Sequence, residues 1–165
     1  EREMYGRTAE ILAEYGFFQY EISNYAKPDF ACRHNIGYWK RTDYLGFGPS
    51  AASLFGNRRW TNTADRSLYL KACGALEKIR EDEEILSRQD AMEEFMFLGL
   101  RLTGGVRTAE FERRFGVTME AVYGEVIERL LKEGLLEASA QTDSHIRLTE
   151  YGLDVSTYAL AEFLQ

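Results

Sequence analysis

The chain is poor in the residues that most often announce a chemistry. Two cysteines, Cys32 and Cys73, and two histidines, His34 and His145, stand among 165 residues. So few thiols point to a reducing compartment without a disulfide framework, and the chain is expected to be cytoplasmic. Cys32-x-His34 is at most half a metal site, because no second pair completes four ligands. No run approaches the roughly 18 apolar residues of a membrane span. The opening Glu1-Arg2-Glu3 has no signal-peptide character and no initiating methionine. Basic residues are in the minority: 20 Lys and Arg against 27 Asp and Glu leave a net charge of −7. That balance argues against a general nucleic-acid or anionic-membrane surface. Gly46-Phe47-Gly48 lacks the rest of a phosphate-binding G-x-G-x-x-G, and its glycines read as allowing close backbone approach within a strand. Glu21 has no paired acid at a diagnostic spacing, and Ser50 and Ser53 lack a nucleophile elbow. No residue is assigned a catalytic or metal-binding role.

What the chain has is concentrated in residues 17–53. Phe18, Tyr20 and Ile22 alternate with Gln19, Glu21 and Ser23, the period of a half-buried strand. Residues 24–29, ending in Lys27-Pro28-Asp29, read as a loop. Cys32-Arg33-His34-Asn35 and Tyr38-Trp39 follow on the same connection, and Tyr44 to Pro49 is again strand-like. Special side chains on a loop held by strands are how a binding site commonly looks. An imidazole beside flat aromatics suits haem iron or a propionate, with Tyr38 and Trp39 facing the macrocycle. The competing reading has His34 and Asn35 hydrogen-bonding the loop while Tyr38 and Trp39 fill the core.

In chain order, residues 1–15 form an amphipathic helix with Met4, Thr8, Ile11, Leu12 and Tyr15 on one face and Gly16 as its cap. Helix, glycine and strand make an α-to-β step of the kind that builds parallel sheets. Gly56-Asn57 predicts a tight hairpin turn, and Thr63 or Asp65 an N-cap for a helix carrying Leu68, Ala72, Leu76 and Ile79. Glu81-Asp82-Glu83-Glu84 reads as a solvated helix end or linker, which places a boundary near residues 84–88. Beyond it, Met92, Phe95, Met96, Phe97, Leu98, Leu100 and Leu102 cover most of a helix circumference, so that helix is central. A short helix at 108–115 stops at Gly116. A longer one capped by Thr118 turns Val122, Val126, Ile127, Leu130 and Leu131 inward. Two short strands, 135–139 and 145–149, enclose a polar turn before a last helix at 151–164. Three helices and a two-stranded wing make a winged-helix pattern. DNA binding is not expected: from Arg88 on there are 8 Lys and Arg against 14 Asp and Glu, and the groove-entering helix shows Glu120, Glu125, Glu128 and Glu133 against Arg129 and Lys132.

Tyr20-Glu21-Ile22-Ser23-Asn24-Tyr25-Ala26-Lys27-Pro28, His34-Asn35-x-x-Tyr38-Trp39 and Tyr44-Leu45-Gly46-Phe47-Gly48 resemble the oxygen-independent coproporphyrinogen III oxidase-like family of radical S-adenosylmethionine (SAM) proteins. Glu94 to Leu102, Leu148-Thr149-x-x-Gly152 and the closing Ala161-Glu162-Phe163-Leu164 resemble it too, and the wording is that of its haem-chaperone branch. The resemblance implies an α+β fold: the tail of a radical SAM β/α barrel and a β-containing bridge in residues 1–86, then a helical winged-helix-like domain in residues 87–165. It implies a role in porphyrin or haem biosynthesis or in haem delivery, with haem or a porphyrin(ogen) and the N-terminal barrel of the parent protein as partners. His34, Asn35, Tyr38 and Trp39 are its implied haem- or substrate-binding residues. The alternatives are the authentic dehydrogenase, which oxidatively decarboxylates propionates, and a winged-helix interaction module with no enzymatic role. The family's Cys-x3-Cys-x2-Cys is absent from this sequence. The iron–sulfur cluster and SAM are therefore implied for the full-length parent, and the chain alone is expected to hold neither and to be inactive.

Overall fold

A computed structural model describes residues 2–72, 74–139 and 144–164. Helix α1 (Arg2–Glu14) closes as the sequence predicts. Gly16, at φ 77°, donates to Ala13 and Phe17 donates to Leu12, the paired bonds of a Schellman cap. Its apolar face is largely uncovered: Met4, Ile11 and Tyr15 are exposed.

The strand expected over residues 17–23 is much shorter. Only Phe18–Gln19 (β1) is extended, and it pairs antiparallel with Tyr25–Ala26 (β2), in the stretch that reads as a loop. The alternation is also inverted at its centre, where Glu21 is fully buried and Phe18 exposed. The cause is local turn chemistry: one Glu21 carboxylate oxygen accepts from Ser23 N–H at 3.0 Å and from the Asn24 amide, and Tyr20 N–H donates to Asn24 O. Residues 33–39, also expected in a loop, form helix α2 (Arg33–Trp39).

Strands β3 (Ala52–Phe55) and β4 (Arg58–Asn62) make the predicted hairpin, with Gly56 and Asn57 at φ 55° and 62° as a two-residue primed turn requires. Asp65 caps helix α3 (Arg66–Lys71), accepting from Ser67 and Leu68 N–H. That helix is shorter than expected, and Leu76–Ile79 forms a separate 3-10 turn. The acidic run is strand β5 (Arg80–Ile85), hydrogen-bonded to β4. Its residues are solvated as charge predicts, but a sheet edge accommodates that as well as a linker does. Tyr44 forms an isolated bridge with Leu54, and residues 45–49 are a loop rather than a strand. Buried Asn62 donates to the carbonyls of Gly46 and Gly48, and a Cβ on Gly46 would strike the Ala52 carbonyl.

Helix α4 (Arg88–Gly99) starts on a reciprocal cap: Ser87 N–H donates to Asp90, and Asp90 N–H to the Ser87 hydroxyl. Hydrogen bonds to the Asp90 carboxylate, from the Ser87 side chain first and then from Ser87 N–H, hold it below its usual range. Strand β6 (Val106–Arg107), helices α5 (Thr108–Phe115) and α6 (Met119–Lys132), and strands β7 (Leu136–Ser139) and β8 (His145–Leu148) follow. Gly116 (φ 65°) ends α5 and Thr118 caps α6, as the sequence predicts. The sheet has three strands in the order β6-β8-β7; the sequence pattern showed two, because β6 is only two residues long. The polar turn of the wing lies outside the described residues, as does Cys73. The last helix is broken into α7 (Glu150–Asp154) and α8 (Ser156–Ala161).

Packing divides the chain differently from a cut at residue 86. One unit joins Glu1–Arg41 to Met92–Gln165, and the other is Thr42–Ala91. The first holds the large core, in which Phe95, Phe111, Phe115, Tyr123 and Phe163 meet edge-on or tilted at 4.8–6.0 Å between ring centroids. Ile22 packs against that core from the N-terminal segment.

Candidate functional site

An isolated seven-residue helix is not stable in water, so α2 depends on its neighbours. Cys32 O accepts from Ile36 N–H at 3.0 Å, and Arg41, at φ 50°, turns the chain out of the helix. Two contacts from the C-terminal segment hold the exit. Arg41 Nε donates to Glu94 Oε2 at 2.8 Å with both side chains mostly buried, and Arg114 Nη1 donates to Lys40 O at 3.0 Å.

The helix separates the four candidate residues. His34 and Tyr38, one turn apart, lie on one face with ring centroids 4.7 Å apart and planes at 79°, edge to face. His34 and Cys32 are exposed, and Asn35 and Tyr38 are half-buried. At roughly 100° per residue Trp39 lies about 140° around the helix from His34. It packs inward under Arg101, whose guanidinium carbon is 4.6 Å from the ring centroid. His34 and Tyr38 are therefore brought together, and Trp39 belongs to another surface. The His34 side chain makes no hydrogen bond to the described residues.

Beside this helix the backbone of residues 20–22 is stitched to residues 101–103: Ile22 N–H donates to Arg101 O and Thr103 N–H to Tyr20 O, each at 3.1 Å. The second Glu21 carboxylate oxygen, the Trp39 indole N–H and the Arg101 Nε–H are buried without hydrogen-bond partners among the described residues. Arg41 carries no periodic or motif signal of its own, and Arg101 only its place in the Glu94 to Leu102 block. Their importance comes from partners more than 50 residues away in sequence. Among the described residues no group of three or more His, Cys, Asp or Glu is placed to hold a metal.

Residues 86–155 match the HemN C-terminal domain family. This stretch is a HemN C-terminal domain. The chain that carries it is similar to the haem chaperone HemW of Lactococcus lactis, at 36% identity over 98% of this chain and 41% of the relative. It is also similar to HemW of Bacillus subtilis, at 31% identity over 99% of this chain and 42% of the relative. It thus spans about two fifths of the length of these curated relatives. The fold matches that of the structure described as coproporphyrinogen III oxidase (HemN) from Escherichia coli, a radical SAM enzyme. The TM-score is 0.68 at 17% identity, covering 96% of this chain and 39% of that one. The expected α+β class, with mixed helices and small antiparallel sheets, holds, and the described residues contain no β/α barrel. Within the HemN C-terminal domain, helices α4 to α6 and the β6-β8-β7 sheet form the winged-helix arrangement. The solvent side of α6 carries Glu120, Glu125 and Glu128. Among the described residues no helix is long and apolar enough to cross a membrane.

Proposed function

We propose that this chain is the C-terminal part of a HemW-like radical SAM protein that binds and delivers haem in the cytoplasm, with His34 as an axial iron ligand. One observation carries the reading: an exposed imidazole, free of hydrogen bonds to the described residues, with the Tyr38 ring set edge-on against it. A neutral imidazole with an accessible nitrogen is the side chain that haem iron most often takes. Tyr38 limits the ring's rotation and adds apolar surface beside the macrocycle. Asn35, half-buried next to His34, is assigned to the same surface. Trp39 contributes from the inner face of α2 by fixing the helix against Arg101.

The kinship with HemW supports haem rather than a porphyrinogen as the cargo. The iron–sulfur cluster and SAM belong, in this reading, to a barrel elsewhere in the parent protein. Such a cluster takes several thiolates, and two cysteines do not fit it, so no step is assigned to it here. The exposed Met4, Tyr5 and Ile11 of α1, with Tyr15 just beyond its end, are assigned to the surface that meets that barrel. Titrating haem into the chain and into His34→Ala, with the Soret band as readout, tests the ligand assignment.

A further inference from the structure

On the inner side of α2 lies a cleft of ≈340 Å³, separate from the His34 face. Tyr20, Trp39 and Phe95 supply aromatic wall, Lys40 and Arg107 supply charge, and Gly104 leaves part of the lining without a side chain. A Cβ on Gly104 would meet open space. The acid at the edge, Glu110, is already engaged by Arg114 at 2.6 Å and approached by Arg113 at 3.8 Å. In a chain of net charge −7, this cleft presents two exposed cationic side chains, Lys40 and Arg107.

We infer that the cleft binds one pyrrole edge of a tetrapyrrole, with a propionate carboxylate at Lys40. The inference rests on the proposed handling of haem for the choice of ligand, and on the cleft for the contact. The volume sits at the low end for small-molecule sites, too small to enclose a macrocycle and large enough for an edge with its side arm. Flat apolar walls suit the ring, and an ammonium suits the carboxylate. The backbone of Lys40 is fixed at both ends: its N–H donates to Ile36 O, and its carbonyl accepts from Arg114. Its exposed side chain has no ion-pair partner among the described residues.

The test uses iron-free protoporphyrin IX and its dimethyl ester, titrated into the chain with porphyrin fluorescence as readout. The diacid is expected to bind about tenfold more tightly than the diester, the worth of one charge-assisted hydrogen bond. Lys40→Ala removes that gap while leaving diester binding unchanged, and Lys40→Arg keeps it. Equal affinities for diacid and diester, a gap that survives in Lys40→Ala, or no binding of the diacid overturns the inference. A porphyrin without iron takes no axial ligand, so this comparison does not depend on His34. The Soret response of His34→Ala does not depend on the carboxylate, and either assignment can therefore fail alone.

Discussion

Arg41 and Glu94, 53 residues apart, form a 2.8 Å ion pair whose side chains are only 9% and 21% exposed. It ties the end of α2 to α4, the central helix of the HemN C-terminal domain. Removing one partner leaves the other charge buried, so Arg41→Ala and Glu94→Ala should each cost roughly 3 kcal/mol in denaturant unfolding. The double variant should cost about as much as either alone. Strictly additive losses would show that the pair does not couple.

Three glycines that look alike in sequence separate by their surroundings. A Cβ at Gly152 would strike the Leu135 carbonyl, and one at Gly105, where φ is 66°, would strike the Ile146 carbonyl. Each Gly→Ala change there should cost about 2 kcal/mol or more. Gly104→Ala, with open space, should stay within about 0.5 kcal/mol of the parent chain. The Gly152 contact also accounts for Leu148-Thr149-x-x-Gly152 as a motif. Thr149 caps α7 by accepting from Gly152 N–H, and the missing side chain lets the strand end approach.

Tyr123 is buried, and its hydroxyl has no hydrogen-bond partner among the described residues. Burial first, then the nearby Glu93 charge, pushes its pKa up from 10.0 to about 12. The unfolded chain loses this proton near pH 10 while the folded chain keeps it. The neutral hydroxyl's contribution is therefore complete below pH 10 and lost as pH rises from about 10 to 12. Tyr123→Phe should flatten that alkaline slope and leave neutral-pH stability unchanged or up to about 1 kcal/mol higher. An unchanged slope would mean that another group titrates there.

The winged-helix arrangement is not expected to carry DNA binding. The exposed Glu120, Glu125 and Glu128 of α6 face where phosphates would lie. The chain should show no anisotropy change with labelled duplex DNA at low salt, and micromolar binding that weakens steeply with salt would contradict this.

Legibility followed element length and the range of the contacts. Helices α4 and α6 are long and apolar along their buried faces, and Gly116 and Thr118 mark ends set by local geometry. Helix α2 spans less than two full turns and contains Gly37, so no period emerges; it forms because Arg41, Ile36 and Trp39 find partners. The alternation through residues 17–23 was misleading, because a carboxylate closing a turn was stronger locally than the apolar pattern. In the candidate site, His34 and Tyr38 could be named from sequence. The inward turn of Trp39 required the helix, and Lys40 and Arg107 required the cleft.

The central claim, that His34 ligates haem iron, is tested most directly by haem titration of the chain beside His34→Ala, followed at the Soret band. Because His34 is exposed, the variant should keep its circular dichroism spectrum and its stability within about 0.5 kcal/mol. The account predicts a shifted Soret band and weaker but not abolished binding in His34→Ala, since the flanking apolar contacts persist. An identical Soret band and identical affinity in the two proteins would contradict it.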